Sequence, residues 1–121
     1  MDISETRDYY NSLSASMLCG CSYCRNYRSR IRNDYPKIAR YLESFGVDIE
    51  KPFETSPLEP DQNGIIEYIC CQYIVFGKCD AEYNHRIDEV EFRIATSYPS
   101  TGIERPHYVV EFYPIRLLYT E

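Results

Sequence analysis

The apolar residues of this chain change their spacing at Gly64, and this change limits the folds that the chain can adopt. Between Cys24 and Phe45 they recur at steps of three and four, which forms one stripe of an amphipathic helix. After Gly64 they alternate at every second position, as they do in half-buried strands. Helices followed by strands predict an α+β fold with N-terminal helices packed on an antiparallel sheet of three to five strands.

Local signals divide the helical part of the chain. We expect a first helix over residues 4–17, with Ser4 as its N-terminal cap. Pro36 interrupts the second stripe because proline lacks an N–H group and clashes with the preceding turn. This interruption predicts two helices or one kinked helix, with Asp34 as the cap of the second half. Gly46 is well placed to end that half.

The later part of the chain contains three segments that alternate like strands, namely residues 65–76, 88–97 and 108–119. Pro114 divides the last segment, which predicts an edge strand, a bulge or a break. Residues 47–64 carry several prolines and form a long irregular connection, and such connections are often functional. The 121 residues fit a single α+β domain spanning residues 1–121.

Half of the six cysteines lie within six residues, at Cys19, Cys21 and Cys24. Zinc prefers four tetrahedral ligands drawn from thiolates and imidazoles, and Cys21-x-x-Cys24 has the spacing of a zinc half-site. Cys19 supplies a third ligand in this interpretation. We assign Cys79 as the fourth ligand, while the alternatives for that position are Cys70, Cys71, His85 and His107.

Two other interpretations of the cysteines stay open. Cys21 and Cys24 lie near a predicted helix start, with Arg25 and Arg28 close by, and such surroundings favour a reactive thiolate for a redox enzyme or sensor. No strand leads into the motif, so a thioredoxin fold is not expected. Reduced cysteines also pack as small apolar side chains, which predicts buried, separated thiols without metal.

The charge distribution bears on the choice of partners. The net charge of −6 disfavours nucleic acid and anionic membranes. Residues 25–40 are basic and residues 43–67 are acidic, so we expect the two segments to pair across the fold or to stay solvated. The alternative is a basic surface formed by Arg25, Arg28 and Arg32, which recur at helical spacing and would bind a protein or an anionic ligand.

Sequence motifs for catalysis are missing from this chain. It has no phosphate-binding glycine loop, no HExxH and no GxSxG, so a non-enzymatic protein is favoured. The acidic N-terminus has no apolar signal region, which predicts a cytoplasmic location where cysteines stay reduced or bind metal. Thirteen tyrosines suit strands, core margins and interfaces, and we expect them at the edges of the sheet.

Three runs of sequence resemble the signature of a family of small uncharacterised bacterial cytoplasmic proteins. They are residues 19–27 (CGCSYCRNY), 48–54 (DIEKPFE) and 71–77 (CQYIVFG). The resemblance implies a bacterial cytoplasmic origin, and because the family has no established activity it adds no catalytic residues. The favoured hypothesis is a binding or structural module with a cysteine cluster for zinc, and the alternative is a thiol-dependent oxidoreductase or redox sensor using Cys21 and Cys24.

Overall fold

The computed structural model describes residues 1–79 and 82–120. Three α-helices come first in the chain: α1 (Ile3–Ser12), α2 (Ser22–Asp34) and α3 (Pro36–Glu43). A single 3-10 turn at Ala15–Met17 lies between α1 and α2. Pro36 occupies the first turn of α3, where its missing N–H group has no intrahelical partner to lose. The interruption predicted at this proline therefore separates two helices.

The strands form one antiparallel sheet after the helices. They are β1 (Glu54–Pro57), β2 (Ile65–Phe76), β3 (Asn84–Ile87), β4 (Val90–Ile94), β5 (His107–Tyr113) and β6 (Ile115–Leu118). Their order is β1-β2-β5-β4-β3, and β6 pairs with the first part of β2. The α+β fold with N-terminal helices packed on an antiparallel sheet is confirmed.

The expected number of three to five strands is too low, because the sheet has six strands within the described residues. Two of them, β1 and β3, have four residues each, which is too short for an alternating pattern to be visible in the sequence. Strand β1 forms by pairing with the longer strand β2, and β3 forms by pairing with the more apolar strand β4. Pro114 then splits the last predicted strand into β5 and β6.

Helix ends follow the predicted pattern only in part. Asp2, rather than Ser4, caps α1, since its carboxylate accepts a hydrogen bond of 2.9 Å from the backbone N–H of Glu5. The helix also ends at Ser12, well before residue 17. Asp34 does not cap α3, because it is still the last residue of α2. Gly46 does end the helical part: its φ of 90° is a left-handed conformation that glycine adopts readily.

The residues that face the helices shift by one position where β5 gives way to β6. Val110 and Phe112 face the core, and so do Ile115 and Leu117, although the spacing between the pairs is three rather than two. The partner strand β2 makes the same shift, because Tyr68 pairs with Ile115 and Cys71 pairs with Phe112. The break predicted at Pro114 thus keeps apolar side chains on one face along the whole sheet.

Several tyrosines lie at the centre of the core instead of at the edges of the sheet. Tyr27, Tyr68 and Tyr73 are fully buried between the helices and the sheet. Each hydroxyl group has a hydrogen-bond partner: Tyr68 donates to the backbone carbonyl of Tyr23, while Tyr27 and Tyr73 are bonded to each other. These partners compensate for the cost of burying a polar group. The expectation of tyrosines at the margins is therefore wrong for these three.

Candidate metal centre

The beginning of α2 brings three cysteines together. Cys19 follows the 3-10 turn, Cys21 directly precedes α2, and Cys24 lies in the first turn of that helix. Gly20 separates the first two cysteines, and the chain turns here so that the three Sγ atoms lie within 4.8 Å of one another. Cys19 and Cys21 are exposed, and Cys24 is half-buried. The three sulfur atoms could hold a metal ion between them.

Two arginines of α2 hold the loop that carries the cysteines. Arg28 donates a hydrogen bond of 2.6 Å to the backbone carbonyl of Cys19, and Arg25 donates to that of Gly20. Both contacts reach back from the helix to the residues that precede it, so they restrain the loop.

The thiols of Cys21 and Cys24 differ in their readiness to ionise. The backbone N–H of Cys24 stabilises the Cys21 thiolate, and the pKa of Cys21 is lowered. Burial disfavours the charged form of Cys24 and raises its pKa to about 12, although its Sγ lies 3.7 Å from the hydroxyl oxygen of Thr55. Without metal, Cys21 is therefore the first of the two to become a nucleophilic thiolate, with Cys24 as a neighbouring thiol.

A cavity of about 130 Å³ adjoins the cysteine cluster. Cys19 and Cys24 both line this cavity, so two of the three residues border the same space. Apolar parts of the wall come from α1 and the residues after it and from the segment before β1, and they include Tyr9, Leu13, Leu18 and Phe53. Strands β1 and β2 also contribute, with Glu54, Thr55 and Ile74. The cluster thus lies between solvent on one side and an apolar space on the other.

Two cationic side chains also line the cavity, Arg28 and Lys51. The ammonium group of Lys51 donates hydrogen bonds of 2.7 Å and 2.9 Å to the backbone carbonyls of Tyr10 and Leu13. These carbonyls belong to the C-terminal end of α1, where a positive charge is favourable. Lys51 therefore fixes the wall that α1 contributes to the cavity.

The structure does not bring the proposed fourth ligand, Cys79, into the cysteine cluster, because only Cys19, Cys21 and Cys24 meet among the residues described. Cys79 lies instead beside the hydroxyl group of Tyr108, to which it is hydrogen-bonded. It is therefore placed against an aromatic part of the fold.

The alternative fourth ligands also have other surroundings. Cys71 is fully buried in the core, and Cys70 donates a hydrogen bond to Glu111. The ring of His85 stacks on that of Tyr41 with centroids 4.3 Å apart, and His107 is hydrogen-bonded to Thr101. Among the described residues, the structure brings together Cys19, Cys21 and Cys24, which could hold a metal ion, and none of the distant candidates joins them.

The third arginine of the predicted basic surface has a different role from the first two. Arg32 forms ion pairs with Glu43, Asp48 and Glu50, with N–O distances of 2.7 Å, 3.0 Å and 2.5 Å. These acids come from the end of α3 and the segment that follows, so the basic and acidic segments pair across the fold here, as expected. Arg32 is consequently distinct from Arg25 and Arg28, which hold the cysteine loop.

The outer face of the sheet holds a buried polar network that sequence reasoning missed. Glu111 on β5 is almost fully buried and accepts a hydrogen bond of 3.0 Å from Gln72 on β2. Arg93 on β4 forms an ion pair with the same carboxylate, and Cys70 donates to it. Gln72, a polar residue among the apolar residues at the end of β2, was the available signal in the sequence. Its partners depend on the pairing of β2, β5 and β4, which the sequence does not show.

Comparisons with known proteins add no assignment. Searches against protein-family models, curated proteins and solved structures found no match to this chain. None of the helices in the described part of the chain is long and apolar enough to cross a membrane.

Proposed function

We propose that this chain is a small cytoplasmic binding or structural protein, not an enzyme, that holds one zinc ion through Cys19, Cys21 and Cys24. The observation that carries the proposal is the mutual approach of the three Sγ atoms to within 4.8 Å. Zinc–sulfur bonds of about 2.3 Å in a tetrahedron place sulfur atoms about 3.8 Å apart. Small side-chain movements would therefore suffice to bring all three onto one ion.

The charges around the cluster support a metal held by thiolates. Three thiolates and one Zn²⁺ leave one net negative charge, and the cationic side chains of Arg25 and Arg28 contact the loop that carries Cys19 and Gly20. The ion would join the loop after α1 to the first turn of α2, so its binding would stabilise the fold in this region. A bacterial cytoplasmic origin is part of the proposal and is supported by the resemblance of residues 19–27 to the bacterial family named above.

A protein or anionic partner at Arg25, Arg28 and Arg32 remains a prediction. Each of these guanidinium groups has an intramolecular acceptor in the structure, so a partner would have to compete with it or bind its remaining N–H groups. Arg32, with three carboxylates around it, is the least accessible of the three to another anion.

Elemental analysis tests the zinc proposal directly. The protein is purified under reducing conditions without a metal-affinity tag, and metal content and thiol reactivity are measured on the same sample. We expect about one zinc per chain, with three thiols that react only after a chelator is added. A Cys21→Ser variant is expected to lose the metal, whereas Cys79→Ser is the matched control that retains it. A metal-free chain that also fails to bind added zinc would overturn the proposal.

One observation favours a second candidate, a thiol redox protein. Cys21 is exposed, its pKa is lowered, and the Cys24 thiol lies within reach as a resolving partner. In this function the Cys21 thiolate would attack a small-molecule disulfide and release one thiol; Cys24 would then displace the second thiol and leave a Cys21–Cys24 disulfide. Peptide mapping after treatment with oxidised glutathione tests it. A reversible Cys21–Cys24 disulfide in protein that binds no zinc would favour this candidate.

A further inference from the structure

The cysteine cluster supplies three ligands, whereas tetrahedral zinc takes four. Over residues 1–79 and 82–120, no other histidine, cysteine, aspartate or glutamate side chain joins the three within the same distance. Closed zinc sites with four protein ligands are structural, while sites with three protein ligands leave a position for water or for another molecule. The ligand set of this cluster is that of an open site.

The position of the cavity indicates which molecules can reach an ion in the cluster. Cys19 and Cys24 both line the cavity, so a metal ion held by them would lie close to its wall. A ligand entering the cavity could then reach the open position of the ion. Arg28 restrains the loop that carries Cys19, so the position of the cluster at the cavity wall is held in place.

The walls of the cavity define the chemistry of such a ligand. Tyr9, Leu13 and Phe53 offer apolar surface, which suits a short hydrocarbon body. Arg28, Lys51 and the acidic Glu54 line the same space, so positive charge exceeds negative charge there by one, which favours an anionic head group over a neutral one. The volume of about 130 Å³ limits the body to a few carbon atoms or a small ring. Among anions, a thiolate matches the soft sulfur ligands already on the ion.

On the basis of the proposed function, we propose that the metal ion in this cluster takes a small apolar thiol from the surroundings as its fourth ligand, bound in the cavity. The thiol gives its proton to solvent, its sulfur forms a bond to the metal, and the water molecule in that position leaves. No electron is transferred, and the three cysteine ligands stay bound. The protein would accordingly be a receptor for a small organic thiol, with the metal as the recognition element.

Cobalt substitution provides a spectroscopic test of this inference. The reduced chain of 121 residues is loaded with Co²⁺, whose absorption reports both the number of thiolate ligands and the coordination geometry. It is then titrated with 1-butanethiol and, in parallel, with 2-mercaptoethanol. We expect a saturable gain in sulfur-to-cobalt charge-transfer absorption, with binding about tenfold tighter for butanethiol because more hydrocarbon is buried.

The outcomes separate this inference from the proposed function. Cobalt bound by three thiolates with no response to either thiol would overturn the inference and leave the metal-binding function intact. Equal affinity for the two thiols, or removal of the metal by them, would also overturn it. A chain that binds neither Co²⁺ nor Zn²⁺ would defeat the proposed function first, and the inference with it.

A pair of variants locates the thiol in the cavity. Leu18→Trp enlarges a side chain of the cavity wall and is expected to weaken butanethiol binding at least tenfold. Leu58→Trp makes the same substitution at an exposed leucine outside the wall and is expected to bind as wild type does. Equal weakening or no weakening in both variants would place the thiol elsewhere. Because the comparison of two thiols uses the unmodified chain, the test survives if Leu18→Trp fails to fold.

Discussion

The hydroxyl groups of Tyr27 and Tyr73 lie 2.6 Å apart in the centre of the core, where both side chains are fully buried. Tyr73 also donates a hydrogen bond of 2.7 Å to the backbone carbonyl of Ile49, so Tyr27 is the donor to Tyr73. This chain of hydrogen bonds joins α2, β2 and the connection after α3. It allows large polar side chains to fill the space between helices and sheet.

Removing the central hydroxyl group of this chain is expected to destabilise the protein. Tyr73→Phe removes the donor to the Ile49 carbonyl and the acceptor of the Tyr27 hydroxyl in the buried core, which costs about 1–3 kcal/mol of unfolding free energy. Urea unfolding of wild type and variant measures the loss. Tyr98→Phe is the matched control, since Tyr98 is largely exposed and its replacement should change the unfolding free energy little. Equal stability of Tyr73→Phe and wild type would show that the hydrogen-bond chain contributes nothing.

Lys51 is expected to stabilise the wall of the cavity through its two carbonyl contacts. Replacement by methionine keeps the length of the side chain but removes both hydrogen bonds at the end of α1, which should cost about 1–3 kcal/mol. Hydrogen exchange should then quicken at the last amides of α1 more than in the sheet. Lys78→Met, at an exposed lysine, is the control. Unchanged exchange in Lys51→Met would contradict this role for Lys51.

The local parts of the fold and of the site could be predicted from the sequence. The boundaries of β2 match the predicted segment at residues 65–76 because apolar and β-branched residues fill it between two glycines. The approach of Cys19, Cys21 and Cys24 also follows from short spacing, since six residues at a helix start have few ways to separate their side chains. In both cases the residues that decide the structure are neighbours in the chain.

Features that depend on distant contacts could not be predicted. Strand β3 has four mostly polar residues and forms because β4 pairs with it. The buried state of Glu111 depends on Gln72 and Arg93, which lie on two other strands. The position of Cys79 away from the cluster is likewise a result of the chain path between β2 and β3. Spacing alone carries no information about such long-range partners.

Glu111 is expected to make stability depend on acidic pH. Burial would raise its pKa, but hydrogen bonds from Gln72, Arg93 and Cys70 outweigh burial, so its pKa is lowered. Because this pKa is lower in the folded protein than in the unfolded chain, the ionised carboxylate stabilises the folded state at pH values above about 4.3, the ordinary glutamate pKa. This stabilisation is lost as the pH falls through the pKa of Glu111 in the folded protein. Glu111→Gln should cost about 1–3 kcal/mol at neutral pH, with a smaller difference from wild type in acid. Denaturant unfolding at several pH values tests this against Glu104→Gln, an exposed control.

The buried thiol and phenol groups predict a loss of stability in alkali. Burial raises the pKa of Cys71, Tyr27 and Tyr73 in the folded protein, so the unfolded chain ionises first. These neutral groups contribute fully to the stability of the folded protein at pH values below the ordinary pKa, which is about 8.5 for cysteine and 10 for tyrosine. It then declines as the pH rises, by about 1.4 kcal/mol per pH unit for each group that is ionised only when unfolded. We expect the tyrosinate absorption of Tyr27 and Tyr73 to appear together with unfolding. Ionisation of all the tyrosines in a chain that stays folded would contradict this prediction.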